Sequence, residues 1–171
     1  NDVSAEKYLK MIEYKTAVLL GASMKMGAIV SQASLQEQNS IYEFGRNLGM
    51  AFQIQDDFLD TFGEEEKFGK IIGGDILENK KTLLFIRAKE LLSKKDSYRL
   101  IELYSTKSLD DHSKINEVKE LYNKWGIPEI MMKEIKQFTL TALKMLENIK
   151  IDSEKKEFLI NFGNSLMKRN I

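Results

Sequence analysis

The sequence contains no cysteine, a single proline and a single histidine, and its 26 basic residues cancel its 26 acidic ones. Without cysteine, neither a disulfide frame nor a thiolate metal site can form, which suits a cytoplasmic setting. A balanced charge argues against nucleic acid as a partner, because no excess of Lys and Arg supplies a basic surface for phosphate backbones. The one proline and ten glycines leave little material for linkers. The longest apolar run, Thr16 to Val30, is interrupted by Lys25 and falls short of the roughly 20 residues that cross a bilayer, so no transmembrane segment is expected. His112 lies among charged residues and reads as solvated rather than catalytic.

What is present is helical patterning. Ser4 stands as a cap before Tyr8, Ile12, Lys15, Leu19 and Ala22, which recur at helical spacing. Ser40 and Glu43 have the form of a capping box, predicting a helix from Ile41 to about Asp60. Residues 61–78, with four glycines and mixed charge, read as a long loop. Further helices are expected over 80–92, from Asp96, and over 111–124 with Gly126 as its stop. Pro128 suits the first turn of another over 129–148, and Asp152 or Ser153 caps a last one to about 168. Trp125 is expected to anchor a helix end. No strand alternation or internal repeat competes, so residues 1–171 are expected to form a single all-α domain.

The end of the third segment, FQIQDDFLD from Phe52 to Asp60, gathers carboxylates behind an apolar run. At about 100° per residue, Asp60 lies about 40° and Asp57 about 100° from Asp56, with Gln53 near 60° and Gly49 near 20°. The stripe is acidic, while Ala51, Ile54 and Phe58 face the other way toward a core. Acids at a carboxyl-terminal helix end oppose the helix dipole, and no Lys or Arg stands one turn before them to compensate. Two readings remain: a solvated helix end, with Glu64, Glu65 and Glu66 continuing it, or a site that expects a cation. Oxygen ligands with room for phosphate suit Mg²⁺ rather than Zn²⁺. Lys70 and Lys80 around the glycines of IIGGD, and Lys15 beside Thr16, have the charge that a diphosphate requires.

Three motifs in order, YLKMIEYKTAVLL, GMAFQIQDDFLD and GKIIGGDILENKKTLL, resemble the trans-isoprenyl (polyprenyl) diphosphate synthases. The second corresponds to that family's second aspartate-rich motif. The resemblance implies an antiparallel helical bundle of the isoprenoid synthase type. It implies a prenyltransferase of isoprenoid biosynthesis that ionises an allylic diphosphate and couples the cation to isopentenyl diphosphate. By the same resemblance Asp56, Asp57 and Asp60 hold Mg²⁺, and Lys15, Lys70 and Lys80 contact the diphosphate. Gln53 and Thr16 face the developing cation, Asp75 matches a family acidic position, and Arg169 matches a basic tail near the isopentenyl site.

The family's first aspartate-rich motif is not found in these 171 residues; Asp110 and Asp111 have no third acid at helical spacing. The expectation is therefore a carboxyl-terminal half, inactive alone, of a cytoplasmic enzyme that is a homodimer at full length. The alternatives are a non-catalytic partner subunit or helical interaction domain, and, less favoured, a terpene cyclase or squalene-type synthase.

Overall fold

Helix starts are set by side chains that satisfy the first backbone amides, which have no partner within the helix. In the computed structural model, which describes residues 3–64, 72–105 and 110–168, Ser4 Oγ accepts the Lys7 amide and opens α1 (Ala5–Ile12). A π-helical turn, Glu13–Ala17, follows without a break and leads into α2 (Val18–Val30). α3 (Leu35–Phe62) starts earlier than expected. Its capping box is Ser34 with Glu37: the Ser34 amide and hydroxyl donate to Glu37 Oε2 at 2.9 and 2.7 Å, and the Glu37 amide returns to Ser34 Oγ at 3.4 Å. The expected box at Ser40 and Glu43 is overturned, because Ser40 is buried within the helix and Glu43 pairs with Arg46 at 2.7 Å. Both tetrads have the same form; Leu35, Gln36, Glu37 and Gln38 are good helix formers and carry the helix back to the first.

The remaining elements are α4 (Gly74–Leu77), α5 (Leu83–Leu91), α6 (Lys94–Leu103), α7 (Asp111–Lys124), α8 (Ile127–Met145), a 3₁₀ turn Leu146–Asn148, and α9 (Ser153–Met167). α4 interrupts the segment expected to be loop. α6 begins a little before Asp96, since Ser93 Oγ takes the Asp96 amide as its cap. Asp110 caps α7 by accepting the His112 and Ser113 amides at 3.2 and 3.1 Å. Gly126, with φ +67°, supplies the left-handed residue that stops α7, and Pro128 follows in the first turn of α8. Among the described residues there is no strand, in line with the all-α expectation, and no helix long and apolar enough to cross a membrane.

Contacts divide the described residues into two compact units, one of Asp56–Met132 with residues 3–8, the other of Leu9–Gln55 with residues 133–168. In the second unit, Phe44 and Leu48 of α3 form a buried cluster with Ala142, Leu146 and Ile149, backed by Leu20 and Met24 of α2 and Leu159 and Phe162 of α9. Two glycines permit the helix contact behind it. A Cβ on Gly21 would sit 2.8 Å from the Tyr42 carbonyl, and one on Gly49 2.6 Å from Ala17 Cα. The roughly 1 kcal/mol that each helical glycine costs is offset by this approach. In the first unit Ile76, Leu83, Leu84, Leu100, Val118 and Tyr122 are fully buried, each contributing about 1.5–3 kcal/mol. There α4 and α6 both pack against α7.

Candidate functional site

The last two turns of α3 place three aspartates in three different surroundings. Asp57 is only 6% exposed, and its Oδ2 accepts the Tyr8 hydroxyl at 2.5 Å. Burial, reinforced by the Asp57 charge, pushes the Tyr8 phenol far above its ordinary pKa, so it stays a donor. Asp56 and Asp60 are half-buried. Asp60 holds the start of α4 to the end of α3: its Oδ2 accepts the Asp75 amide at 2.9 Å and its carbonyl accepts the Gly73 amide at 2.6 Å. Gly74 makes room for this, since a Cβ there would lie 3.3 Å from Asp60 Oδ1.

The electrostatics follow from that packing. Burial pushes the Asp60 carboxyl above its usual range; the Asp75 amide pulls it back, the Asp75 charge raises it again, Lys80 lowers it and Asp56 raises it. Asp75 Oδ1 accepts Lys80 Nζ at 2.8 Å, and Glu78 Oε2 lies 2.7 Å from the same nitrogen. These two carboxylates hold the Lys80 ammonium above its ordinary pKa, while 53% of its side chain remains exposed. Asp60, Asp75 and Lys80 thus form a continuous line of one half-buried acid, one bridging acid and one solvent-facing cation.

In the other unit, Thr16 Oγ1 donates to Gln53 Oε1 at 3.1 Å. The π-helical turn carries Lys15 and Thr16, and such turns recur at functional positions because the extra residue re-aims its neighbours. Arg46 braces the turn by binding Glu13 at 3.0 Å and Glu43 at 2.7 Å. Lys15 is exposed. Lys70 and Arg169, with Glu65 and Glu66, lie outside the described residues. The sequence pattern placed Tyr8 on a helix but did not identify its hydroxyl as the partner of Asp57.

The donors around α3 and α4 are all oxygens, as Mg²⁺ prefers. Among the described residues no three acidic or histidine side chains converge on one point. Such a set suits an ion held by one or two carboxylates and shared with phosphate oxygens, with Asp56 and Asp60 as the half-exposed candidates and Asp57 committed to Tyr8.

Residues 1–124 match the model of a family described as polyprenyl synthetase. The chain belongs to that family. It is 36% identical over 168 residues to a short chain isoprenyl diphosphate synthase of Methanothermobacter thermautotrophicus, covering 98% of this chain and 50% of that one. A crystal structure of a geranylgeranyl pyrophosphate synthase superposes with a TM-score of 0.91 at 39% identity, over 100% of this chain and 53% of the other. Another, from Corynebacterium glutamicum and complexed with isoprenyl diphosphate and magnesium, gives 0.87 at 25% identity over 99% and 48%. The likeness confirms the all-α isoprenoid synthase fold. The chain spans about half the length of the relatives it matches.

Proposed function

We propose that this chain supplies the second aspartate-rich wall of a prenyltransferase that joins an allylic diphosphate to isopentenyl diphosphate. The observation that carries this reading is the line Asp60–Asp75–Lys80, which fixes acids for a cation beside a solvent-facing ammonium for phosphate. In the reaction, the carbon–oxygen bond of the allylic diphosphate breaks heterolytically and its electron pair leaves with pyrophosphate. The double bond of isopentenyl diphosphate attacks the allylic cation, and a proton is then lost.

Asp56 and Asp60, with Asp57 set behind them by Tyr8, would hold Mg²⁺ against the diphosphate. When bound, that ion neutralises the charge that grows on the leaving group. Lys80, with Lys15 and Lys70, contacts the remaining phosphate oxygens. Thr16 commits its proton to Gln53, so a nearby allylic cation meets the oxygen lone pairs of Thr16, which are suited to positive charge. Arg169 serves the isopentenyl diphosphate end. The proposal includes a cytoplasmic enzyme, homodimeric at full length, in which residues 1–171 supply one part of the site and bind without turning over.

Calorimetry on the purified chain tests this. Pyrophosphate is expected to bind only with Mg²⁺ present, Asp56→Ala is expected to remove the heat, and no prenyl product is expected. A helical interaction domain or non-catalytic subunit would give no metal-dependent heat in either protein. Normal prenyl transfer by the 171 residues would overturn the half-site reading.

A further inference from the structure

Lys114, in the first turns of α7, is 4% exposed. A buried ammonium ordinarily sits against a carboxylate. Here Nζ donates to the neutral amide oxygen Asn79 Oδ1 at 2.7 Å and lies 5.8 Å from the centre of the Tyr104 ring. Burial draws the Lys114 pKa below the usual lysine value, and Asp111 offsets part of that shift. A charge kept at this cost calls for a reason beyond stability.

Its partner gives one. Asn79 has φ +56°, a left-handed conformation that few residues other than glycine adopt. It stands immediately before Lys80, where the chain closes α4: the Asn79 amide donates to the Ile76 carbonyl at 3.1 Å and the Lys80 amide to the Asp75 carbonyl at 2.9 Å. At the other end of the same turn, Gly73 has φ +86°, and a Cβ there would come within 2.8 Å of Ile115 Cδ1. Successive residues of α7, Lys114 and Ile115, therefore grip both ends of the segment that presents Asp75 and Lys80.

We propose that Lys114 is a positioning residue for the diphosphate site, holding Asn79 in its left-handed conformation so that Lys80 and Asp75 keep their direction. The proposal rests on the reading that Asp60, Asp75 and Lys80 address a diphosphate. Lys114 itself touches no ligand and acts through Asn79.

A double-mutant cycle tests it, using Lys114→Met, Asn79→Gly and the pair in the 171-residue chain. Methionine fills the space without a buried charge, and replacing buried ions by apolar groups is often neutral or stabilising, so the fold should survive. Glycine accepts the positive φ but drops the amide that Lys114 holds. Each single variant is expected to weaken Mg²⁺-dependent pyrophosphate binding about 5–20-fold, with the double variant no weaker than either. Affinity within about two-fold of the unsubstituted chain for Lys114→Met, or losses that multiply in the double variant, would overturn the proposal. If the unsubstituted chain binds no pyrophosphate, the functional reading fails, and hydrogen exchange then decides the clamp separately. Faster exchange of the Asp75 and Lys80 amides in Lys114→Met, by about tenfold, upholds it, and unchanged exchange overturns it.

Discussion

Asp60 and Asp96 are sheltered carboxylates at helix ends within the same unit, yet their surroundings drive them in opposite directions. Asp96 lies in the first turn of α6, where the helix dipole favours an anion. It accepts Lys124 Nζ at 2.7 Å and Trp125 Nε1 at 2.9 Å. The Lys124 hydrogen bond, with that of Trp125, holds its carboxyl below the ordinary range. Asp60 lies in the last turn of α3, where the dipole opposes it. Burial pushes its carboxyl up, and the charges of Asp75 and Asp56 add to the shift. Both carboxylates tie two pieces of structure together, and Asp96 brings its own counter-charge. One packed among other acids, as Asp60 is, gains from a cation supplied from outside. The charged neighbours therefore separate the self-compensated Asp96 from the candidate ligand Asp60 where residue type does not.

The sharpest test of this difference removes one charge at each place. Asp60→Asn keeps an acceptor for the Asp75 amide but lowers the negative charge offered to Mg²⁺. Losing one charged contact of this kind is worth about 1.5–3 kcal/mol, so Mg²⁺-dependent pyrophosphate affinity is expected to fall roughly 10–100-fold by calorimetry. Asp96→Asn should leave that affinity unchanged; equal losses at both positions would erase the distinction. A second test leaves both carboxylates in place and moves the turn that Asp60 holds. Gly73→Ala brings a Cβ to 2.8 Å from Ile115 at φ +86°, and urea denaturation should show a loss of about 1–3 kcal/mol. Gly73 precedes α4, so its displacement should also weaken pyrophosphate binding, which no change beside Asp96 should do.

Much of this arrangement was legible from the residues because its signals are local. Ser4, Gly126 and Pro128 act within one helical turn of where they stand, and each does what its position suggests. The Ser40 box failed for a local reason too, since an equivalent tetrad precedes it and a helix extends until something stops it. Thr16 and Gln53, named together from the resemblance to a family, are joined by a hydrogen bond. What was not legible depends on partners far apart in sequence. The Tyr8 spacing implies a helix but does not say that its hydroxyl meets Asp57, 49 residues away. α4 is hidden in a glycine-rich stretch because Ile115 and Asp60 create it from outside. The π-helical turn has no residue signature; it lies where Gly49 lets α3 approach Ala17.

The smallest effects lie in stability, where the two aspartates should differ in sign rather than size. In metal-free buffer near neutral pH, Asp96→Asn should lower Tm by a few degrees, because Lys124 and Trp125 lose an ionised acceptor. Asp60→Asn should leave Tm equal or raise it, because a like-charge neighbour is removed. The pH dependence separates them further. A carboxyl with a depressed folded pKa, such as Asp96, stabilises the fold above the unfolded value of about 3.9 and loses that contribution as pH falls through its folded pKa. A carboxyl with a raised folded pKa, such as Asp60, does the reverse: the folded state binds the proton more tightly, so stability declines as pH rises from about 3.9 through the raised value. Urea midpoints measured across the acid range should therefore show Asp96→Asn flattening the loss at low pH, and Asp60→Asn removing a decline at higher pH. Parallel curves for the two variants would mean that both aspartates are struts, and the cation would have to be sought at Asp56 alone.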